Sequence, residues 1–254
     1  MTNATIIIPA RYASTRFPGK PLASLNGQSV IAHVVRAALR TRAACPVYVA
    51  TDDGRIQAEV ESRFSPHEAC VVMTSPACHT GTDRLAEAVR FLHIPTSSRQ
   101  IIVNVQGDEP FLAPDHVDAL LKLMEEQTDS KMGTLATPLQ NEGQFHDPNV
   151  VKVVVSQQRR ALYFSRAPIP HARDKSGAVV PLRHLGIYAY DASWLLEMAS
   201  LPPSPLEECE KLEQLRALEA GIAIGVAVVE NVVPIAIDTP EDLERARAFL
   251  APNT

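Results

Sequence analysis

The chain has 254 residues, 46% hydrophobic and 21% charged, with a formal net charge of -5. It is long and apolar enough for one large α/β core, or a core with a small lobe, and too apolar for a disordered chain. A net acidic chain without a block of like charge lacks the basic stripe of a nucleic-acid surface. No basic-then-apolar leader opens the sequence, and no apolar run approaches the ~20 residues of a membrane helix. A cytoplasmic protein with a small-molecule partner, no nucleic acid and no membrane is expected.

The run Ala4 to Pro9 is β-branched and reads as a buried strand. It empties into a loop, Ala10 to Leu22, that holds Arg11, Arg16, Lys20, two prolines and Gly19. Open α/β sheets put ligands at the C-terminal ends of their strands, so these cations face a polyanion there, and a nucleoside triphosphate fits. The alternative is that all three are solvated surface charges. The loop is neither a Walker A motif nor a Gly-x-Gly-x-x-Gly turn, which disfavours both common phosphate folds.

Helical spacing runs from Val30 to Leu39, a short strand covers Val47 to Ala50, a helix Ile56 to Phe64 and a strand Ala69 to Met73. A helix over Arg84 to Leu92 precedes the strongly apolar strand Ile101 to Val105. A helix then opens at Pro114 and runs through Met124, and strands cover Gly133 to Thr137 and Val150 to Val155. Strands alternating with helices predict a Rossmann-like, mostly parallel sheet covered by helices. Between about 161 and 190 the pattern changes to two strand-like runs, Ala161 to Ser165 and His184 to Tyr190, split by a polar loop, which predicts a hairpin or small β lobe. A helix from about Pro205 to Ala220, a strand at Val226 to Val229 and a last helix capped by Thr239 complete the chain. No linker divides it, so residues 1–254 read as a single domain.

Asp108 follows the central strand within Gln106-Gly107-Asp108-Glu109-Pro110 and points at the same crevice as the cationic loop. Acid beside a triphosphate implies Mg²⁺, which takes one or two carboxylates together with phosphate oxygens and water; the alternative is that Asp108 only orders a turn. Asp238, just before the last helix, either caps that helix or meets Asp108 around the metal. The turn Thr80 to Arg84 is a helix start with Thr82 or Thr80 as its cap, and its N–H groups also suit polar groups of a base or ribose. Arg166 either clamps a carboxylate or lies on the surface, and His184 either meets a ligand or is hydrogen-bonded within the lobe. Cys45, Cys70, Cys78 and Cys209 show no Cys-x-x-Cys spacing and read as free thiols.

Several motifs in one order resemble the 3-deoxy-manno-octulosonate (Kdo) cytidylyltransferases. They are Pro9-Ala10-Arg11 through Leu22, Val49 to Asp52, Gly81 to Arg84, Val103 to Pro110, Ala161 to Arg166, Arg183 to Tyr188, Leu212 to Arg216 and Asp238 to Leu243. The resemblance implies a fold like that of the nucleotide-diphospho-sugar transferases (GT-A-like), with the β lobe used for homodimerisation. It implies transfer of a cytidylyl group from CTP to Kdo, giving CMP-Kdo and diphosphate for lipopolysaccharide synthesis. By position it assigns Arg11, Lys20, Asp108 and Asp238 to catalysis, with Asp108 and Asp238 holding Mg²⁺. It assigns Arg11, Ser14, Arg16, Lys20, Thr51, Gly81, Thr82 and Arg84 to the nucleotide, and Gln106, Arg166, His184, Tyr188, Glu213 and Gln214 to the sugar acid. The chain departs from the family pattern at Ala236, where a glycine is expected nearby, and at Ala77-Cys78-His79, which lacks an acidic or amide residue. The competing acceptors are 8-amino-Kdo and a sialic acid. Tyr12-Ala13 and Phe17 count against the sialic acid, and the presence of both aspartates counts against a non-catalytic nucleotide-sugar binding module.

Overall fold

The computed structural model describes residues 3–13, 16–43, 45–174, 179–230, 232–233 and 235–251. In chain order its first elements are β1 (Ala4–Pro9), β2 (Ser24–Leu25), β3 (Gln28–Ser29), α1 (Val30–Leu39), β4 (Val47–Thr51), α2 (Gly54–Arg63) and β5 (Ala69–Met73). Next come α3 (Gly81–Phe91), β6 (Ile101–Asn104), α4 (Pro114–Glu126), β7 (Met132–Pro138), α5 (Glu142–His146), β8 (Lys152–Val155) and β9 (Ala161–Ser165). Last are β10 (Leu182–Asp191), α6 (Ala192–Met198), α7 (Pro205–Glu210), α8 (Gln214–Glu219), β11 (Ile224–Val228) and α9 (Pro240–Leu250). Contacts gather these into two compact units, one formed by 1–118 with 233–254 and the other by 119–232.

In the first unit β6, β1, β4 and β5 lie side by side, all parallel, with Ile6 opposite both Val47 and Val103. Ile6, Ile7 and Ile8 are fully buried, and burying each side chain stabilises by about 1.5–3 kcal/mol. Parallel pairing carries the exits of β1, β4 and β6 to one edge of the sheet. The helix starts are capped as the sequence suggests. Thr80 with Asp83 forms a capping box on α3, and Thr239 with Asp242 forms one on α9, where Pro240 takes the first turn. The sequence reading passed over one hairpin, β2–β3, which turns on Asn26 and Gly27 with φ of 51° and 80°. Positive φ at both turn residues suits an Asn-Gly pair.

In the second unit β7 pairs parallel with β11 and antiparallel with β10, and β8 pairs antiparallel with β9 and with the start of β10. The small hairpin is therefore β8–β9. The runs 161–165 and 184–190 do not pair with each other, because β8 lies between them and pairs with both β9 and the start of β10. The expected helix from 205 to 220 is also divided. Lys211 ends α7 in the left-handed region with φ of 52°, and α8 begins at Gln214. The carbonyls freed at this break, Glu210 O and Lys211 O, accept from the Arg166 guanidinium at 2.7 and 3.5 Å, and this capping of the helix C-terminus offsets the unfavourable φ.

Candidate active site

The loop after β1 is shaped by its backbone. Gly19 adopts φ of 73° and its N–H donates to Tyr12 O at 2.9 Å, so Tyr12 and Gly19 meet at a neck. Lys20 then opens a 3-10 turn over Lys20–Leu22. Its ammonium donates to Asp108 Oδ2 at 2.7 Å and to Asp238 Oδ1 at 3.1 Å, with only 12% of the side chain exposed. Arg16 Nη2 reaches the same Asp238 oxygen at 3.1 Å from a position 67% exposed. One cation thus joins two carboxylates 130 residues apart in sequence, as the span from 108 to 238 shows.

Each aspartate is placed by its own segment. Gly107 lets the turn after β6 press against β1, since a Cβ there would meet Pro9 O at 2.8 Å. Ile237 is fully buried among Leu25, Val30, Leu243 and Ala246, and its N–H donates to Asp108 O at 2.8 Å. That bond lays the segment carrying Asp238 alongside the Asp108 turn, with Ala236 accommodated in it. Capping of α9 belongs to Thr239 and Asp242, and the Asp238 backbone N–H donates to Asp242 Oδ2 at 3.0 Å. Its carboxylate is thereby left to Lys20 and Arg16.

A cleft of about 380 Å³ opens over these groups, lined by Arg11, Arg16, Lys20, Cys78, Gly81, Arg84, Gln106, Asp108 and Asp238 among others. This lies in the usual range for a small-ligand site. Arg11 Nη1 donates to His79 O at 3.3 Å, bringing the first loop to the segment before α3. Arg84 is almost wholly buried and donates to Asp52 Oδ2 at 3.0 Å and to Thr74 Oγ1, so it braces the cleft wall. Two of the nucleotide residues expected from the sequence do not line the cleft. Thr51 is fully buried with its hydroxyl accepting from Asp53 N–H at 3.2 Å, and Thr82 is buried in the first turn of α3. Ser14 lies outside the described residues.

Cys78 is a cleft residue that the sequence reading set aside. Its thiol donates to Glu87 Oε2 at 2.9 Å, and burial together with that carboxylate pushes its pKa up to about 11. The thiolate fraction at pH 7 is then on the order of 10⁻⁴. Iodoacetamide should label exposed Cys209 well before Cys78, which peptide mass spectrometry would time; equal rates would overturn the hydrogen-bonded thiol. All four cysteines are free, so replacing them by Ser or Ala should leave a folded protein.

The donor set fits Mg²⁺. Two carboxylates converge on one ammonium, so their oxygens are within reach of a single cation. Among the described residues no group of three or more His, Cys, Asp or Glu is arranged for a metal. A hard ion that keeps water and takes phosphate oxygens needs no larger protein cage.

The remaining expected residues belong to the second unit. His184 is buried, and Phe164 packs edge-on to its ring at 5.0 Å. Thr134 Oγ1 lies 2.8 Å from Ile187 O and 3.0 Å from His184 Nε2. The hydroxyl proton goes to the carbonyl, so the hydroxyl accepts from a protonated Nε2. Burial, with Arg183 adding to it, pushes the His184 pKa down to about 3. An unfolded chain titrating near 6.5 takes up a proton that the folded one refuses, so stability is full above pH 6.5 and falls as pH drops toward 3. Urea unfolding should show wild type losing about 1.5–2 kcal/mol more than His184→Gln between pH 6.5 and 5; parallel profiles would refute a neutral buried imidazole.

Arg166 donates to Pro148 O at 2.9 Å as well as to the two carbonyls at the end of α7. Three of its five N–H groups are used, leaving two for a ligand. The Tyr188 ring lies 5.4 Å from His184. Gln214 is buried with its Nε2 unpartnered, and Glu213 Oε1 lies 3.7 Å from Arg216 Nη2. Among the described residues no helix is long and apolar enough to cross a membrane.

The family model described as Cytidylyltransferase matches residues 5–224. The 3-deoxy-manno-octulosonate cytidylyltransferase of Anaeromyxobacter sp. (strain Fw109-5) is 50% identical over 251 residues, 99% of this chain and 98% of its own. That of Stenotrophomonas maltophilia (strain K279a) is 46% identical over 258 residues, 98% of each chain. Among solved structures, a CMP:2-keto-3-deoxy-manno-octonic acid synthetase complexed with CTP superposes with a TM-score of 0.90 at 39% identity, over 98% of this chain and 99% of that one. A cytidylyltransferase from Leptospira borgpetersenii shares the fold at a TM-score of 0.62 and 17% identity, over 98% of this chain and 86% of that one. With two aspartates held on one lysine under a cationic loop, and with likeness along its whole length, the chain belongs to the 3-deoxy-manno-octulosonate cytidylyltransferase family.

Proposed function

We propose that this chain transfers the cytidylyl group of CTP to the anomeric hydroxyl of Kdo, giving CMP-Kdo and diphosphate for lipopolysaccharide synthesis. The observation that carries the site assignment is the convergence of Lys20 on Asp108 and Asp238 inside the cleft. Arg11, Arg16 and Lys20 hold the triphosphate, with Ser14 from the same loop and the N–H groups at Gly81 beside them. Arg84, Thr51 and Thr82 serve the nucleotide from behind by fixing the wall and floor. The sugar hydroxyl oxygen attacks the α-phosphorus, the bond from that phosphorus to the bridging oxygen breaks, and diphosphate leaves while the hydroxyl proton passes to solvent.

The cationic loop stabilises the charge that gathers on the leaving phosphates, and positioning supplies most of the remaining acceleration. Asp108 and Asp238 are the residues that would hold Mg²⁺, and the bound ion would supply charge neutralisation at the phosphates and a more acidic attacking hydroxyl. By the family resemblance, the residues proposed to recognise the sugar acid are Gln106, Arg166, His184, Tyr188, Glu213 and Gln214. The two N–H groups that Arg166 has left suit the sugar carboxylate. Dependence on CTP, a nucleotide of the cytosol, supports a cytoplasmic location. A homodimer through the β lobe is supported by Leu162, Val179 and Val180, each more than 60% exposed, and light scattering on the purified chain tests it.

Pyrophosphate release should be followed with CTP, UTP, ATP and GTP, each against Kdo, 8-amino-Kdo and N-acetylneuraminate. Release is expected with CTP and Kdo. A preference for N-acetylneuraminate or for another nucleotide, or no release at all, would overturn the assignment.

A further inference from the structure

The loop that carries the three cations is clamped from outside the cleft. Its neck is Tyr12 and Gly19, with Arg11 and Lys20 immediately flanking that neck and Arg16 within the loop. The Arg55 guanidinium carbon lies 3.3 Å from the centroid of the Tyr12 ring, a stacked cation-π contact. Arg55 is held in turn by Asp53, its Nε donating to Oδ1 at 2.9 Å and its Nη2 to Oδ2 at 2.6 Å. Such a bidentate pair fixes the plane of the guanidinium. Asp53 also caps α2 by accepting from Arg55 N–H at 2.9 Å, so the clamp is anchored on a helix start. On the other side of the neck, a Cβ at Gly19 would lie 3.1 Å from the Tyr12 ring, so backbone and ring are already in close contact. Arg55 does not line the cleft but a separate hollow with Leu22 and Gln28.

We infer that Arg55 is a positioning residue for CTP, acting through Tyr12 to hold the triphosphate loop in its binding conformation. This rests on the reading of that loop as the triphosphate site. Without the clamp the loop must be ordered when CTP binds, and that cost falls on affinity. Once CTP is bound, Arg11, Arg16 and Lys20 stand where they stood before. The loss is therefore of binding common to ground and transition states, which raises KM and spares kcat.

Steady-state kinetics of Arg55→Ala should show KM for CTP raised about tenfold, with kcat and KM for the sugar acceptor changed by no more than about threefold. Arg55→Lys keeps the charge but loses the planar stack and the fork, so it should behave like Arg55→Ala. Tyr12→Ala should match them and Tyr12→Phe should restore most of the affinity. The double variant Arg55→Ala/Tyr12→Ala should be no worse than either single one, because the two act as one unit. Arg63→Ala, which removes another α2 arginine paired to Glu59, should leave KM for CTP unchanged. Arg16→Ala separates the two levels of the proposal. If it raises KM for CTP while Arg55→Ala does not, the clamp is refuted and the loop's role stands. If neither raises it, the triphosphate site itself is wrong. Full rescue by Arg55→Lys, or multiplicative effects in the double variant, would reduce Arg55 to a remote positive charge.

Discussion

Asp108→Asn and Asp238→Asn should each lower turnover by about a hundredfold or more, the scale of losing one strong electrostatic contact to a transition state. An amide keeps the shape of the side chain and still accepts from Lys20 and Arg16, so melting temperatures should barely move. What the amide lacks is the negative charge that a hard divalent cation requires. The two aspartates face the same lysine ammonium at 2.7 and 3.1 Å, so they act as a unit, and the double variant should fall well short of the product of the single losses. Wild-type turnover should vanish with a chelator and return with Mg²⁺. Near-normal turnover at saturating substrate in either single variant would remove that residue from the metal site.

The elements of the first unit were legible because they obey simple rules. Ile6 to Ile8 give an unbroken apolar strand, Thr80 and Thr239 open helices with acids three residues on, and β-branched runs alternate with helical spacing. The second unit was less legible where pairing is decided at long range. Nothing local in Ala161 to Ser165 says that its partner is Lys152 to Val155 rather than the next strand-like run. The break at Lys211 hides for a similar reason, since its compensation comes from Arg166, 45 residues earlier. The asymmetry extends to the site. Asp108 and Asp238 were visible as acids at a strand exit and a helix start, but that Asp238 lies beside Asp108 instead of capping α9 depends on Ile237 N–H donating to Asp108 O and on Thr239 and Asp242 taking the cap. Arg55 gave no signal at all, because an arginine in the first turn of a helix looks like any solvated charge until Tyr12 is seen beneath it.

Arg216→Met should cost the protein about 3–5 kcal/mol, the scale of breaking a buried ion pair from one side. The Arg216 side chain is 7% exposed and Glu207 is 13% exposed. The guanidinium donates to both Glu207 oxygens, from Nε at 2.7 Å and from Nη2 at 2.5 Å, and reaches Met198 O and Leu201 O at 3.3 and 3.4 Å. Methionine fills much of the volume but leaves a buried carboxylate without its cation and two carbonyls each short of one donor, and that desolvation penalty dominates over the lost attraction. Glu207 also accepts from Ser204 N–H at 3.1 Å, so the start of α7 loosens with it. The urea midpoint should fall accordingly. Adding Glu207→Leu should recover much of the loss, since removing both charges also removes the cost of burying one alone. Glu213 and Gln214 stand three and two residues before Arg216 at the start of α8, so at temperatures where Arg216→Met remains folded the KM for Kdo should rise while that for CTP holds. A loss under about 1 kcal/mol, or a double variant worse than either single one, would show that the pair contributes no more than an exposed salt bridge.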